Sequence, residues 1–438
     1  MHDTAVAPPH PVPSQPTPPA APAHAARLDP RAGAARIFGL VRRLRRAEMA
    51  RQHGRLHAIK AAAAAPARAT RVALEGVRKY GRVTAEHGGV SRAQQFASLW
   101  WLNFRYHYRP TTVYRHRLFT PARMLPAPGF MQWHEAGVLY RTVTQRAAAG
   151  AAETLGDKRR FARWCAEQGL PTPPILAEFE GGRVTTSRVA EGDAPATDLF
   201  AKWATQYGGD DTQRWRHEAG RYVDDDGRAW TFGEVVATLA ERSRTGVVLL
   251  QPRLVNDPAL RPLSPNALST IRVMTTQRPG EAPRLLAGLL RMGTGKATAD
   301  NFAQGGIASA ADPETGVIGP ARRVDEDHRT YVFTEHPDTG ARIVGFRIPR
   351  WHEAIRLALT AHERLGPIPC VGWDVAVLED GPVLIEGNWN PCTKLLQVAT
   401  QTPLLETEFA GAFGAWLDAP ACAFDDDWLV QQNRWSPV

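Results

Sequence analysis

Residues 371–391 read VGWDVAVLEDGPVLIEGNWNP, two apolar runs flanking Glu379-Asp380-Gly381. Val375, Val377, Val383 and Ile385 alternate with other residues, the period-2 pattern of strands that keep one face in a core. The spacing predicts an antiparallel hairpin with a three-residue loop and Gly381 at its left-handed position. Pairing Leu378 with Pro382 then sets Asp374 opposite Glu386, and Asn388 follows two residues later on the same face. Two carboxylates facing each other across strands repel, more so when partly buried. A cation relieves that repulsion, and all-oxygen ligands suit a hard ion such as Mg²⁺, which completes its shell with waters and phosphates. The spacing alone leaves a second reading open: an ordinary exposed hairpin with solvated acids.

Asp, about a dozen residues, then Glu-x-Asn and a nearby Pro resembles the C-terminal metal motif of ATP-grasp enzymes. The wording GWDVAVLEDGPVLIEGNWNP is similar to one subfamily, the sugar-transfer-associated, alpha-L-glutamate-ligase-related ATP-grasp proteins. Four further stretches carry the resemblance in the expected order: GDKRRFARWCAEQGLPTPP (156–174), VVLLQPRLVNDPAL (247–260), LSTIRVMT (268–275) and ADNFAQGGIASAADPETGVIG (299–319). The resemblance as a whole runs from about residue 95 to about residue 415.

The resemblance implies an α+β fold in which two subdomains clamp ATP, with Mg²⁺ or Mn²⁺ on Asp374, Glu386 and Asn388. Lys158 matches the family's first phosphate-contacting lysine, and Lys202 the second. Lys202 precedes a mobile glycine loop whose Gly208 and Gly209 let backbone N–H groups approach phosphates. Trp203 stands where the family often has Pro, and Asp210 and Asp211 are unusual neighbours for a phosphate. Gln251, Pro252, Arg253 and Leu254 match the linker that pairs with adenine, with Asn256 or Asp257 available for ribose. Arg272 lies mid-strand among apolar residues, where a guanidinium needs an anion, either a structural carboxylate or a transferring phosphoryl group, the second favoured by the resemblance. Gly372 occupies the place of an arginine found two residues before the metal Asp in some relatives, so Arg272 or Arg291 is expected to supply that charge. Asp300, Asn301, Gly305 and Gly306 match the segment near the acceptor, and Lys394 is expected to meet the acceptor or the acyl phosphate. GTGKAT (293–298) is not a P-loop, since Leu290 and Ala297 stand where Gly and Ser/Thr are needed.

The net charge of +9 belongs to one segment. Between Arg36 and Arg82 thirteen Lys/Arg face only Glu48 and Glu75. Residues 1–34 are a Pro/Ala-rich tail expected to be disordered. Residues 35–90 read as a basic helical segment. There Ile37, Leu40, Val41 and Leu44 make a stripe among arginines, which suits either an anionic membrane surface through 36–60 or packing on the body with the arginines solvated; the second is favoured. Residues 91–150 are rich in aromatics, expected as core packing, and lack strand–helix alternation. A mostly helical subdomain is therefore expected there, not the Rossmann-like domain of many relatives. Subdomains over 151–250 and 251–415, and a tail over 416–438, complete the expected organisation. No apolar run of about 18 residues predicts a membrane span. No secretion signal is evident, and Cys165, Cys370, Cys392 and Cys422 make no CxxC, so a cytoplasmic setting is expected.

The expectation is an ATP-dependent carboxylate–amine ligase acting on small molecules, with polysaccharide or sugar-conjugate biosynthesis implied by the resemblance, and without nucleic acid as a partner. A phosphotransferase on the same fold, or a nucleotide-binding module without catalysis at a membrane surface, is the alternative.

Overall fold

The computed structural model describes residues 30–53, 63–124, 127–190, 193–205, 212–295 and 300–420. Two antiparallel seven-stranded sheets organise the chain after residue 176. The first contains β1 (Ala177–Glu180), β2 (Arg183–Ser187), β3 (Leu199–Trp203), β4 (Gln213–Glu218), β5 (Arg221–Val223), β6 (Ala229–Trp230) and β7 (Val248–Pro252), in the order β2-β1-β7-β3-β4-β5-β6. The second contains β8 (Thr270–Thr276), β9 (Arg284–Met292), β10 (Ile307–Ala311), β11 (Ala321–Val324), β12 (Thr330–Phe333), β13 (Cys370–Leu378) and β14 (Gly381–Asn388), in the order β12-β11-β10-β9-β8-β13-β14.

Each sheet is backed by an amphipathic helix. Helix Phe232–Arg242 starts with a Thr231–Glu234 capping box and buries Val235 and Leu239 against the first sheet, with Phe179, Leu199 and Val248. Helix Trp351–Leu365 buries Trp351, Ala354, Ile355, Ala358, Ala361 and His362 on the second, the i, i+3, i+4 spacing of a core-facing stripe. Its partners include Trp373, which is fully buried and donates its Nε1–H to Thr275 Oγ1 at 2.9 Å. Helix Lys158–Glu167, capped by Asp157, also belongs to this larger core through Phe161 and Cys165.

The β13–β14 hairpin forms, but its turn differs from the expected one. Only Glu379 and Asp380 connect the strands, and Leu378 pairs with Gly381 instead of Pro382. That register would misalign the acids by one residue. A bulge at Ile385 restores it: Val375 pairs with Leu384, and the next pairs are Asp374 with Glu386, Trp373 with Gly387 and Gly372 with Asn388. The same shift puts Leu384 in the core beside Val375, while Ile385 turns to the polar side.

Helix Pro30–His53 packs on the body. Ile37, Leu40 and Leu44 are buried with Phe409, Phe413 and Trp416 of helix Glu408–Asp418. A Cβ on Gly414 would lie 2.7 Å from Gly33 Cα, so the two helices touch backbone to backbone at these glycines. Arg36 pairs with Asp418 at 2.6 Å, while Arg42 and Arg43 are exposed. The apolar stripe expected to face either a membrane or the body therefore faces the body.

The helices Ala65–Gly88 and Arg92–Tyr106 form an α-hairpin over a core containing Leu99, Leu102, Tyr108, Tyr114 and Phe119. Two of the aromatics expected inside are not: Trp101 and Phe104 are exposed. Among the described residues no helix is long and apolar enough to cross a membrane.

Candidate functional site

A cavity of about 710 Å³ is lined from both sheets, within the range typical of small-molecule sites. Among the described residues, eight Lys/Arg line it against Asp300, Asp374 and Glu386. Such an excess suits a polyanion.

The second sheet supplies the charged floor. Arg272 on β8 pairs directly across from Asp374 on β13, and Glu386 on β14 pairs across from Asp374 on its other side. Arg272 donates Nε and Nη2 to the two oxygens of Asp374, the latter at 3.1 Å. Arg291 on β9 reaches Asp374 Oδ2 and Asp300 Oδ1, both at 3.0 Å. Thr270 Oγ1 accepts from Arg291 Nε at 2.9 Å and donates to Asp300 Oδ2 at 2.6 Å. Burial pushes the Asp374 carboxyl upward, but Arg272 and then Arg291 outweigh it and hold it at about 2. The same pairing holds Arg272 well above its ordinary value despite burial. Asp300 is raised, because burial exceeds the help from Arg291.

Gly372 explains why the guanidinium comes from another strand. A Cβ at Gly372 would lie 2.7 Å from Pro391 Cβ and 3.2 Å from Arg272 Cδ. The stem of Arg272 fills the space beside Gly372 and delivers its charge sideways to Asp374.

Glu386 meets Lys158 across the cavity, Oε2 to Nζ at 3.5 Å. Asn388 donates its Nδ2 to Gly372 O at 3.2 Å and to Glu386 Oε1 at 3.4 Å. Its nitrogen is thus spent on neighbours, which leaves the amide oxygen as its acceptor. Glu386 and Asn388 line the cavity with Asp374, giving an all-oxygen set that fits a hard divalent cation.

The first sheet supplies the opposite wall. Phe200 and Lys202 project from β3, and Gln251 and Pro252 end β7 beside them. Burial, then the Lys158 charge, lowers the Lys202 ammonium to about 8. Lys158 stands at the start of its helix, and its backbone N–H donates to Ala204 O at 3.0 Å, tying that helix to the end of β3. Gln251 donates Nε2 to Pro173 O at 3.1 Å. Arg253 donates its backbone N–H to Asp198 O at 2.8 Å and pairs with Asp198 Oδ2 at 3.3 Å. Leu254 lines the cavity.

Most of the expected site residues converge, with exceptions. Asn256 lines the cavity, yet its amide braces the following loop: Nδ2 donates to Ser264 O and Ala267 O, and Oδ1 accepts from Ser269 N. Asp257 accepts from Ala259 N instead of reaching the cavity wall. Gly305 and Gly306 do not line the cavity; they close the turn after Phe302–Gln304, with Gly306 N donating to Asn301 O. Asp300 and Asn301 do line it, as does Lys394, whose Nζ lies 5.8 Å from the centre of the Phe302 ring. Burial lowers the Lys394 ammonium. Gly208 and Gly209 lie outside the described residues.

Sequence reasoning missed Thr270, Phe302 and Trp133. Thr270 joins two ion pairs that only the register of β8 against β9 brings together. Trp133 opens helix Trp133–Leu139 and lines the cavity although its indole is largely exposed. Nothing local marks it, since an exposed tryptophan at a helix start reads the same anywhere.

The family described as Sugar-transfer associated ATP-grasp matches residues 139–410. No curated protein sequence matches the chain. Among solved structures it is similar to the ADP complex of purK, N5-carboxyaminoimidazole ribonucleotide synthetase, at 11% identity over 55% of this chain and 46% of that one, TM-score 0.33. It is similar to L-amino acid ligase from Bacillus licheniformis at 14% identity over 60% and 48%, TM-score 0.34. D-alanine–D-alanine ligase from Bacillus anthracis shows 12% identity over 58% and 69%, TM-score 0.30. The chain spans about half the length of the first two.

Proposed function

The chain belongs to the sugar-transfer-associated ATP-grasp family, and from that premise we propose that it is an ATP-dependent carboxylate–amine ligase. The observation that carries this reading is the cavity between the sheets, where an excess of cations surrounds one all-oxygen patch. In this reading the segments 151–250 and 251–415 are the two halves of the clamp.

The triphosphate lies between Lys158 and Lys202 on one side and the Asp374–Glu386–Asn388 patch on the other. Mg²⁺, or Mn²⁺, would be held by Glu386, Asn388 and Asp374, and when bound it neutralises charge on the phosphates. The adenine edge meets the backbone at Gln251–Leu254, beside Phe200. Arg272 and Arg291 hold positive charge, already fixed by Asp374, where the γ-phosphoryl group transfers; a charge that need not reorganise stabilises a transition state best. A substrate carboxylate attacks the γ-phosphorus, the bond to the β-γ bridging oxygen breaks, and ADP leaves. An amine then attacks the acyl carbon of the acyl phosphate, phosphate departs with the bonding pair, and the amine loses a proton. Lys394, Asp300 and Asn301 border the space left for these two substrates. The words sugar-transfer associated in the family description support, within this proposal, a sugar-linked acceptor and a place in polysaccharide biosynthesis.

Calorimetry of ATP binding with and without Mg²⁺, on wild type and Glu386→Ala, tests the site. Mg²⁺-dependent binding that the substitution weakens tenfold or more supports it; metal-independent binding, or none, overturns it. Product analysis on candidate carboxylates and amines then separates amide formation from simple phosphorylation, the outcome for a phosphotransferase.

A further inference from the structure

The helices Ala65–Gly88 and Arg92–Tyr106 lie side by side, with Trp100 Nε1 donating to Thr70 Oγ1 at 3.1 Å. Their inner faces enter the aromatic core, so their outer faces are presented together. At 100° per residue, Arg71, Leu74, Arg78 and Arg82 share the outer stripe of the first helix, with the exposed acid Glu75 among them, and Trp101, Phe104 and Arg105 that of the second. All eight are exposed; Leu74 is 58% accessible, Trp101 46% and Phe104 36%. Across residues 65–109 eight Lys/Arg stand against Glu75 and Glu86.

Leu74 and Trp101 leave about half of their surface, and Phe104 about a third, in water between arginines, apolar area that the fold does not use. We propose that this outer face docks on an anionic lipid bilayer, independently of the chemistry assigned to the cavity. Tryptophan settles at the headgroup boundary, where its amphipathic ring satisfies both phases, and phenylalanine and leucine enter the acyl boundary beside it. The arginines add attraction to anionic headgroups. Neither a nucleic acid nor a second copy fits as well. Phe104 already stacks on Trp100, with ring centres 5.0 Å apart and planes at 15°, so one of its faces is spent, and Leu74 has no ring to stack. A second copy would set arginines against arginines. The surface is also distinct from the stripe of Ile37, Leu40 and Leu44, which is covered within the chain.

The test is sedimentation of the full chain with phosphatidylcholine vesicles and with vesicles enriched in phosphatidylglycerol. Binding only to the latter, weakened by salt, is expected. The Trp101→Ser/Phe104→Ser variant is expected to lose at least tenfold in partitioning. The Arg71→Glu/Arg78→Glu variant is expected to lose at least fivefold for each arginine. Arg71→Glu/Arg78→Glu should keep the wild-type melting temperature, because both side chains are exposed, and Trp101→Ser/Phe104→Ser should stay folded with a small drop, because Phe104 also stacks on Trp100. Should one variant fail to fold, the other still decides. The proposal fails if wild type ignores phosphatidylglycerol, or if folded variants partition like wild type. It fails equally if a single-stranded oligonucleotide binds more tightly than the vesicles, or if the chain self-associates through these residues.

Discussion

The two sheets meet the cavity with opposite electrostatic designs. In the second, Arg272 and Arg291 stand against Asp374 and Asp300, so buried charges compensate one another within the sheet. In the first, Lys202 projects from mid-strand, and its counter-charges, Glu386 and Asp374, lie on the opposite wall. The outcomes diverge: the Asp374 carboxyl is held at about 2, fully ionised, while the Lys202 ammonium is lowered to about 8. A self-compensated network keeps its charge whatever enters the cavity. A cation compensated only from across a gap keeps its charge best when an anion fills that gap. In the proposed function the second sheet is thus the pre-set half of the site, and the first is the half that waits for the ligand.

The sharpest way to break this contrast is to delete one cation from each side. Arg272→Ala leaves the buried Asp374 with Arg291 as its remaining cation and should cost about 3 kcal/mol in urea unfolding, the low end for a broken buried pair. Lys202→Met removes a charge that burial already disfavours. Its stability should hold or rise, while ATP affinity drops at least tenfold. Equal destabilisation by the two substitutions would erase the distinction.

Acid should reach the larger core through His362. Its ring is fully buried, bonded to Thr275 Oγ1 at 2.7 Å and Ile368 O at 3.0 Å, and burial lowers it to about 4. The unfolded ring titrates near 6.5. The folded value lies below the unfolded one, so this contribution is complete above pH 6.5 and is lost as pH falls towards 4. The loss should be about 3 kcal/mol, read as wild-type stability against His362→Gln across that window. A pH profile identical in the two proteins would remove His362 from the account.

Gly372→Ala probes the packing that lets Arg272 act from a neighbouring strand. The new methyl meets Pro391 and the arginine stem, so a cost of about 1–3 kcal/mol is expected, with a weaker ATP site. Thr231→Ala, in the cap of the helix behind the first sheet, should cost about 1 kcal/mol and leave ATP affinity unchanged. An affinity change there would mean the two walls are coupled through the first sheet's core.

Much of the site was legible in the sequence because its signals are local. Alternation across 371–388 located the hairpin, and the resemblance of GDK, LFAKWAT and VVLLQPRL to family motifs pointed to Lys158, Lys202 and the β7 strand end. What failed depends on register between distant strands. No pattern within β14 announces that Ile385 is the extra residue, and none in β8 or β9 says that Arg291 lies close enough to Asp374 to share it with Arg272. Asn256 misled for a related reason: a polar residue at a strand end looks like a ligand contact until the loop it braces is known. Trp101 and Phe104 misled in the opposite sense, since aromatic richness reads as a core even where two rings stand outside it.

The glycine contact between helices Pro30–His53 and Glu408–Asp418 joins the first described helix to the last. On a ribosome these helices are born far apart in time. The chain between Leu44 and Trp416 takes roughly 20–70 s to make at ordinary elongation rates. Throughout that interval the stripe of Ile37, Leu40 and Leu44 has no Phe409, Phe413 or Trp416 to cover it. The nascent chain therefore carries this basic, apolar helix without that cover for the whole interval, a natural handle for a chaperone, and the contact is sealed only when helix Glu408–Asp418 emerges.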